Sequence, residues 1–247
     1  MDRVAVVTGG ASGVGLAICR HLARDGHRVA VLDLDADAAE EAAAALRSEG
    51  AEAVAGGVDV SDRTAVGRAF ADVRAGLGPI EVLVTSAGVS GFVPFAELTD
   101  DDWHRALTVN LTGTFHCLQA VIGDMAAAGW GRIVTISSAA GQTGSERQAH
   151  YAASKGGVIA LTRSVALEYA AKGITVNTVP PFVVDTPMLQ AAHAAGHLPR
   201  PGVLARMVPA GRLGTGDDIG AACAFLCSDD AAYITGQVFA VNGGAVR

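Results

Sequence analysis

Short runs of β-branched and other apolar residues alternate along the chain with longer Ala-rich stretches of helical period. This alternation predicts repeated β-α units and a parallel sheet covered on both faces, because strands buried on two sides read as continuous apolar runs. Seven strands are expected, at Val4–Thr8, Arg28–Leu32, Ala53–Val58, Ile80–Ser86, Gly131–Ser137, Ile174–Val179 and Gln237–Val241. Helical stretches begin near Gly13, Asp37, Asp62, Asp101, His150 and Asp217. The expected fold class is α/β, a doubly wound, seven-stranded parallel sheet with helices on both faces, and residues 1–247 read as a single domain. Thr186–Pro209 fits the alternation poorly. A connection that long in a compact domain points to a lid over a site, the alternative being a surface insertion without a role.

Composition narrows the function classes. Half the residues are apolar and Gly reaches 31, which excludes a disordered or low-complexity chain. The net charge of -7 is spread along the sequence with no basic cluster to neutralise phosphates, so no nucleic-acid partner is expected. The uncharged residues 106–123 are interrupted by Asn110, Thr112, Thr114, His116 and Gln119, so no membrane span is expected, and a cytoplasmic location follows as the default. Cys19, Cys117, Cys223 and Cys227 are scattered and read as reduced thiols. The pairs Cys223/Cys227 and His193/His197 each lie one helical turn apart, but neither has a third ligand at motif spacing, so no metal is expected.

The first strand runs into Thr8-Gly9-Gly10-Ala11-Ser12-Gly13-Val14-Gly15 and then into a helical pattern. Glycines permit the tight turn and let the backbone approach a pyrophosphate, whose charge then meets a helix N-terminus. Asp33 follows at about the 20-residue offset where an acid meets the adenine ribose. Its carboxylate would repel a 2′-phosphate, and no Lys or Arg lies in the Gly loop or at positions 34–36 to offset that, so NAD is expected over NADP. The rival reading is that Asp33 caps the following helix.

Tyr151 and Lys155 are four apart in a helical stretch and share a face. With three Tyr and two Lys, chance gives roughly 0.02 such pairs. An ammonium about 4 Å from the phenol would lower its pKa from about 10 into the range of a neutral-pH base. Lys155 and Lys172 are the only lysines among 18 basic residues, and a compact ammonium can contact both a phenolate and ribose hydroxyls. Ser138 lies just past a strand, at the carboxyl end of the sheet where doubly wound folds bind ligands. Ser137 is its rival, but adjacent strand residues face opposite ways.

These residues resemble the short-chain dehydrogenase/reductase family over essentially the whole chain. The family's T-G-x-x-x-G-x-G loop is similar to Thr8–Gly15, its Asp-Val adenine contact to Asp59-Val60, its active-site Asn to Asn110, and its Y-x-x-x-K to Tyr151–Lys155. The 13-residue spacing before Tyr151 selects Ser138 over Ser137, and Ile234–Gln237 with Gly243-Gly244 matches the family's C-terminal pattern. The resemblance implies a Rossmann-type dinucleotide-binding domain in which Tyr151 is the acid/base, Ser138 orients the carbonyl, Lys155 holds the nicotinamide ribose and Asn110 holds a proton-relaying water. It further implies a cofactor site of Gly9, Ser12, Gly13, Val14, Gly15, Asp33, Leu34, Asp59, Val60, Ala87, Gly88, Asn110, Tyr151, Lys155, Pro181, Val184 and Thr186. The implied substrate pocket is mostly apolar: Val89, Phe92, Gln142, Gln148, Phe182, Val183, Met188 and Leu189.

Two segments depart from the family pattern. Thr85-Ser86-Ala87-Gly88 stands where Asn-Asn-Ala-Gly is usual, and Pro181-Phe182 where Pro-Gly is typical. Small residues Ala152, Ala153, Gly156, Gly157 and Ala160 line the Tyr151 helix, where similar family members pair, commonly as homotetramers. The leading expectation is an NAD(H)-dependent oxidoreductase interconverting a secondary alcohol and a ketone by direct hydride transfer. The alternatives are a 3-oxoacyl-thioester reductase, with Arg147, Arg200 and Arg206 as candidate contacts for an acyl-CoA phosphate, and a non-catalytic NAD-sensing module.

Overall fold

The computed structural model describes residues 2–246. A parallel sheet of six strands forms its centre, β1 (Val4–Thr8), β2 (Arg28–Asp33), β3 (Ala53–Gly57), β4 (Ile80–Thr85), β5 (Gly131–Ile136) and β6 (Ile174–Val179), in the order β3-β2-β1-β4-β5-β6. Every residue of β1, β5 and β6 is buried, as strands covered on both faces must be. Alternation along β1 divides two cores: Ala5 and Val7 face one, Val4 and Val6 the other.

The seventh expected strand, Gln237–Val241, does not form. Val238 makes only an isolated bridge to Thr178. The Asn177 side chain takes the Gln237 N–H at 3.0 Å in place of a backbone carbonyl, and the chain turns back at Gly243 and Gly244, both at positive φ. The segment thus lies against β6 without extending the sheet.

The helices are α1 (Gly13–Arg24), α2 (Ala36–Ser48), α3 (Arg63–Leu77), α4 (Asp100–Leu107), α5 (Gly113–Ala128), α6 (Ala140–Thr143), α7 (Ala149–Tyr169), α8 (Pro187–Ala194), α9 (Pro201–Met207) and α10 (Gly216–Cys227). The six expected helix starts each fall within a residue of an observed one, and α5, α6, α8 and α9 are additional. Asp35 and Asp62 cap α2 and α3, and Thr99 and Thr215 close capping boxes on α4 and α10. The stretch beginning near Asp101 continues through a π turn, Thr108–Thr112, into α5. Thr186–Pro209 is not featureless: Thr186 caps α8, and Pro201 opens α9.

Strand order reverses between β1 and β4, whose carboxyl ends open the crevice characteristic of doubly wound sheets. The Gly loop, the segment after β4, the end of β5 and the base of α8 all meet there.

Candidate active site

Gly9 (φ +66°) and Gly13 (φ +53°) take the left-handed conformation that the loop after β1 requires. A Cβ on Gly15 would lie 1.9 Å from the Gly9 oxygen, and one on Gly9 would lie 2.7 Å from the Ala87 Cα. Loop, helix and β4 segment are therefore packed backbone on backbone. Ser12 makes no side-chain cap, so the first turn of α1 keeps its N–H groups for an anion. Val14 is half-buried beside them, and a Cβ on Gly13 would sit 3.5 Å from the Thr186 side chain, which brings the start of α8 to the loop.

Asp33 Oδ2 accepts from the Ala11 N–H at 3.0 Å. Asp35, not Asp33, caps α2, accepting from the Asp37 and Ala38 N–H groups at 3.1 Å, so the rival reading of Asp33 falls away. Leu34 beside it is 75% exposed. On the far side of the crevice Asp59 Oδ1 accepts from Ser61 at its N–H (2.9 Å) and hydroxyl (2.6 Å), while His116 Nδ1 meets the Val60 oxygen at 3.0 Å. A glycine cradle that no Cβ can enter, an uncapped helix end and a carboxylate on the crevice wall fit a dinucleotide.

At the end of β5 the two serines separate as the pleat demands. Ser137 Oγ accepts from the Thr178 hydroxyl at 2.8 Å within the sheet. Ser138 Oγ accepts from the Ala140 N–H at 3.2 Å, and Ser138 lies near the Tyr151 phenol. Lys155, buried, donates from Nζ to the Ile136 oxygen at 2.8 Å, and that Nζ stands 5.9 Å from the centre of the Tyr151 ring. Lys155 is not among the groups that shift the Tyr151 phenol here. Burial raises the phenol above its ordinary value, the nearby Ser138 hydroxyl opposing this, and burial brings the Lys155 ammonium down to about 8.

Asn110 lies in the π turn, fully buried. Its Oδ1 accepts from the Val89 N–H at 2.8 Å, and its Nδ2 donates to the Val89 oxygen and to Ser154 Oγ, both at 2.9 Å. Gly88 is packed against this group, since a Cβ there would lie 3.1 Å from Asn110 Oδ1 and 3.4 Å from Lys155 Nζ. Both hydrogens of Asn110 Nδ2 are engaged, and its main-chain oxygen, which accepts from Thr114 Oγ1 at 2.7 Å, keeps a second lone pair for a water. Ser154 and Thr114 were not singled out by sequence reasoning, and no signal short of the folded contacts would have found them.

The expected substrate residues are dispersed around the mouth. Phe92 stacks on His197 of the α8–α9 turn, ring centroids 5.2 Å apart and planes at 21°. Gln148 is buried, its amide engaged by Ser90 and Ser145, so it braces loops. Gln142 and Met188 are exposed and Leu189 half-buried. The Pro181 oxygen accepts from the Ala139 N–H at 2.9 Å, which ties this turn beside Ser138. Phe182 and Val183 face a small cavity shared with Val184, Val208 and the C-terminal residues Val241–Gly243. Val184 also bridges Gly214.

His193 and His197 do not converge: His193 Nδ1 meets the Leu198 oxygen while His197 covers Phe92. Of the small residues on α7, Gly156 and Gly157 face inward, where Cβ atoms would press on the Gly141 oxygen and the Leu111 side chain. Ala153, Ala160 and Leu167, the last 86% exposed, remain on the outer face.

A family model described as enoyl-(acyl carrier protein) reductase matches residues 9–246. The D-threitol dehydrogenase of Mycolicibacterium smegmatis is 40% identical over 242 residues, covering 98% of this chain and 92% of that protein. The acetoacetyl-CoA reductase of Cupriavidus necator is 38% identical over 247 residues, 98% of each. Among solved structures, a variant of actinorhodin polyketide ketoreductase with NADPH superposes with a TM-score of 0.95 at 36% identity, covering 99% of this chain and 97% of that one. The glycine cradle, the Ser138–Tyr151–Lys155 grouping and these full-length likenesses agree: the chain belongs to the short-chain dehydrogenase/reductase family, oxidoreductases that act on CH–OH groups with a nicotinamide cofactor.

Proposed function

We propose that the protein is an NAD(H)-dependent dehydrogenase of a secondary alcohol, or reductase of the matching ketone, built as one domain over residues 1–247. The observation that carries this reading is the convergence, at the carboxyl end of β5, of Ser138, Tyr151 and the buried Lys155, whose Nζ donates to the Ile136 oxygen at 2.8 Å and stands 5.9 Å from the centre of the Tyr151 ring. Ser138 orients the carbonyl oxygen. Tyr151 gives a proton to that oxygen in reduction and takes it back in oxidation. Lys155, positive at neutral pH and fixed to the Ile136 oxygen, would hold the nicotinamide ribose. A bound nicotinamide supplies the hydride donor or acceptor.

Gly9, Ser12, Gly13, Val14 and Gly15 would hold the pyrophosphate, Asp33 and Leu34 the adenosine ribose, and Asp59 and Val60 the adenine. Ala87, Gly88, Pro181, Val184 and Thr186 would flank the nicotinamide. The preference for NAD(H) rests on Asp33, which with Asp35 and Asp37 makes the ribose end acidic. Fluorescence titration with NADH and NADPH side by side tests it: tighter NADH binding is expected, and tighter NADPH binding overturns this reading of Asp33. Tyr151→Phe tests the chemistry, with turnover lost and NADH binding retained as the expected result. Retained turnover removes Tyr151 from its role.

A second reading, reduction of a 3-oxoacyl thioester, is favoured by one feature of the lid. Residues 186–209 contain Arg200 and Arg206 but no Asp or Glu, in a chain of net charge -7. Arg212 pairs with Asp218, whereas Arg147, Arg200 and Arg206 enter no ion pair among the described residues. If acetoacetyl-CoA is reduced no better than a short free ketone, this second reading fails. The outer face of α7, with Ala153, Ala160 and Leu167, suits close pairing in a homotetramer, and a monomeric mass by light scattering would count against it.

A further inference from the structure

Ser154 joins the two sides of the crevice. It sits between Tyr151 and Lys155 on α7, fully buried, and its one hydroxyl proton goes to the Tyr151 main-chain oxygen at 2.7 Å. A lone pair of the same oxygen accepts from Asn110 Nδ2 at 2.9 Å, and the other Nδ2 hydrogen goes to the Val89 oxygen. The Val89 N–H, which can only donate, faces Asn110 Oδ1 and so fixes which way the amide points. Each donor therefore has one acceptor, in a chain running from Val89 through Asn110 and Ser154 to Tyr151.

We propose that Ser154 is a positioning residue for the reaction: through Asn110 it sets the segment Gly88–Val89 at a fixed distance from the α7 turn that carries Tyr151. This rests on Tyr151 as the proton carrier. Asn110 lies in a π turn, where regular helix hydrogen bonding is interrupted, so its position depends on these side-chain bonds and on Thr114 at its main-chain oxygen. Removal of the Ser154 hydroxyl leaves an Asn110 N–H unpaired where water does not reach, and the relief open to it is movement of Asn110 and, with it, Val89. A serine serving only its own helix would disturb α7 alone, because Val89 lies on another element.

The test is made first on the protein without cofactor. Amide hydrogen exchange is measured in wild type, Ser154→Ala and Ser154→Cys, followed at Val89 and, as a global reference, at Val134 in the middle of β5. Ser154→Ala is expected to speed Val89 exchange about tenfold, the loss of one hydrogen bond, while Val134 stays slow. Ser154→Cys, whose sulfur is a weaker acceptor for the Asn110 N–H, should fall between. Turnover of acetoacetyl-CoA with NADH, or of D-threitol with NAD, whichever the wild type performs, should show kcat reduced about tenfold in Ser154→Ala with the NADH dissociation constant unchanged. Unchanged Val89 exchange, or unchanged kcat, overturns the proposal. If Val134 also exchanges faster in the alanine variant, the cysteine variant decides by the same two readings. Faster Val89 exchange together with full activity of Tyr151→Phe would leave the brace standing and remove the role given to Tyr151.

Discussion

The Lys155 ammonium is bonded to the Ile136 main-chain oxygen at 2.8 Å, at the carboxyl end of β5, and not to the Tyr151 phenol four residues away. The strand that delivers Ser138 thus also anchors the lysine. The cost is a buried positive charge, which holds the Lys155 pKa down to about 8.

That cost predicts a pH-dependent gain on removing the charge. A lysine whose folded pKa is depressed destabilises the folded state below that pKa, where both states are protonated. The penalty fades as pH rises from about 8 toward the ordinary value of 10.5. Lys155→Met should therefore melt a few degrees above wild type at pH about 7, with the gap shrinking by pH about 9.5, while turnover is lost. A gap that does not narrow with pH, followed by thermal melts, would mean that packing rather than charge sets the difference.

Much of this fold was legible in the sequence because its signals are local. The apolar runs marked six strands to within about a residue at each end, and the helical period placed six helix starts as closely, four of them where Asp35, Asp62, Thr99 and Thr215 cap the first turn. The seventh strand misled because Gln237–Val241 has the composition of a strand, whereas its pairing depended on Asn177, a residue of another element that intercepts the Gln237 N–H. The family resemblance pointed to Ser138, and that Tyr151 and Lys155 share a helix face beside it was readable from their spacing. The direction of the Tyr151 pKa was not, because spacing gives neither burial nor the acceptor that Lys155 finds in Ile136.

Asp33 invites a direct exchange of cofactor preference. Its carboxylate lies on the crevice wall, hydrogen-bonded to Ala11, and no cation neighbours it in sequence from 34 to 36. Asp33→Ala should weaken NADH at least about tenfold through loss of charge-assisted ribose bonds, and should strengthen NADPH by removing repulsion. Paired fluorescence titrations measure both. Weaker binding of both cofactors alike would instead point to collapse of the Gly loop that Asp33 supports.

The four cysteines should be chemically silent. All are buried, and burial pushes the Cys117 and Cys227 thiols up to about 12 and raises Cys19 and Cys223 as well. A thiol-specific chromogenic reagent is expected to label the native protein no faster than it unfolds. Rapid labelling of one thiol would reveal local opening at that helix.

The stack of Phe92 on His197 ties the α8–α9 turn to the segment after β4, and Val93 in that segment donates its N–H to the Arg147 oxygen at 2.7 Å. Arg147 is the one non-glycine residue at positive φ among those described (φ 60°), so the rim opposite that turn is held in a costly conformation. The α8–α9 turn thus rests on a fixed edge. An aromatic pair of this kind contributes about 0.5–1.5 kcal/mol, so His197→Ala should raise KM for the carbonyl or alcohol substrate roughly two- to tenfold. The NADH dissociation constant should stay put, because neither ring belongs to the glycine cradle. Phe92→Ala should give the same KM change, and the double variant no more than either alone, since the two rings share one contact. Additive effects in steady-state kinetics would show that each ring contacts the substrate independently, and that the α8–α9 turn is held by something other than their stack.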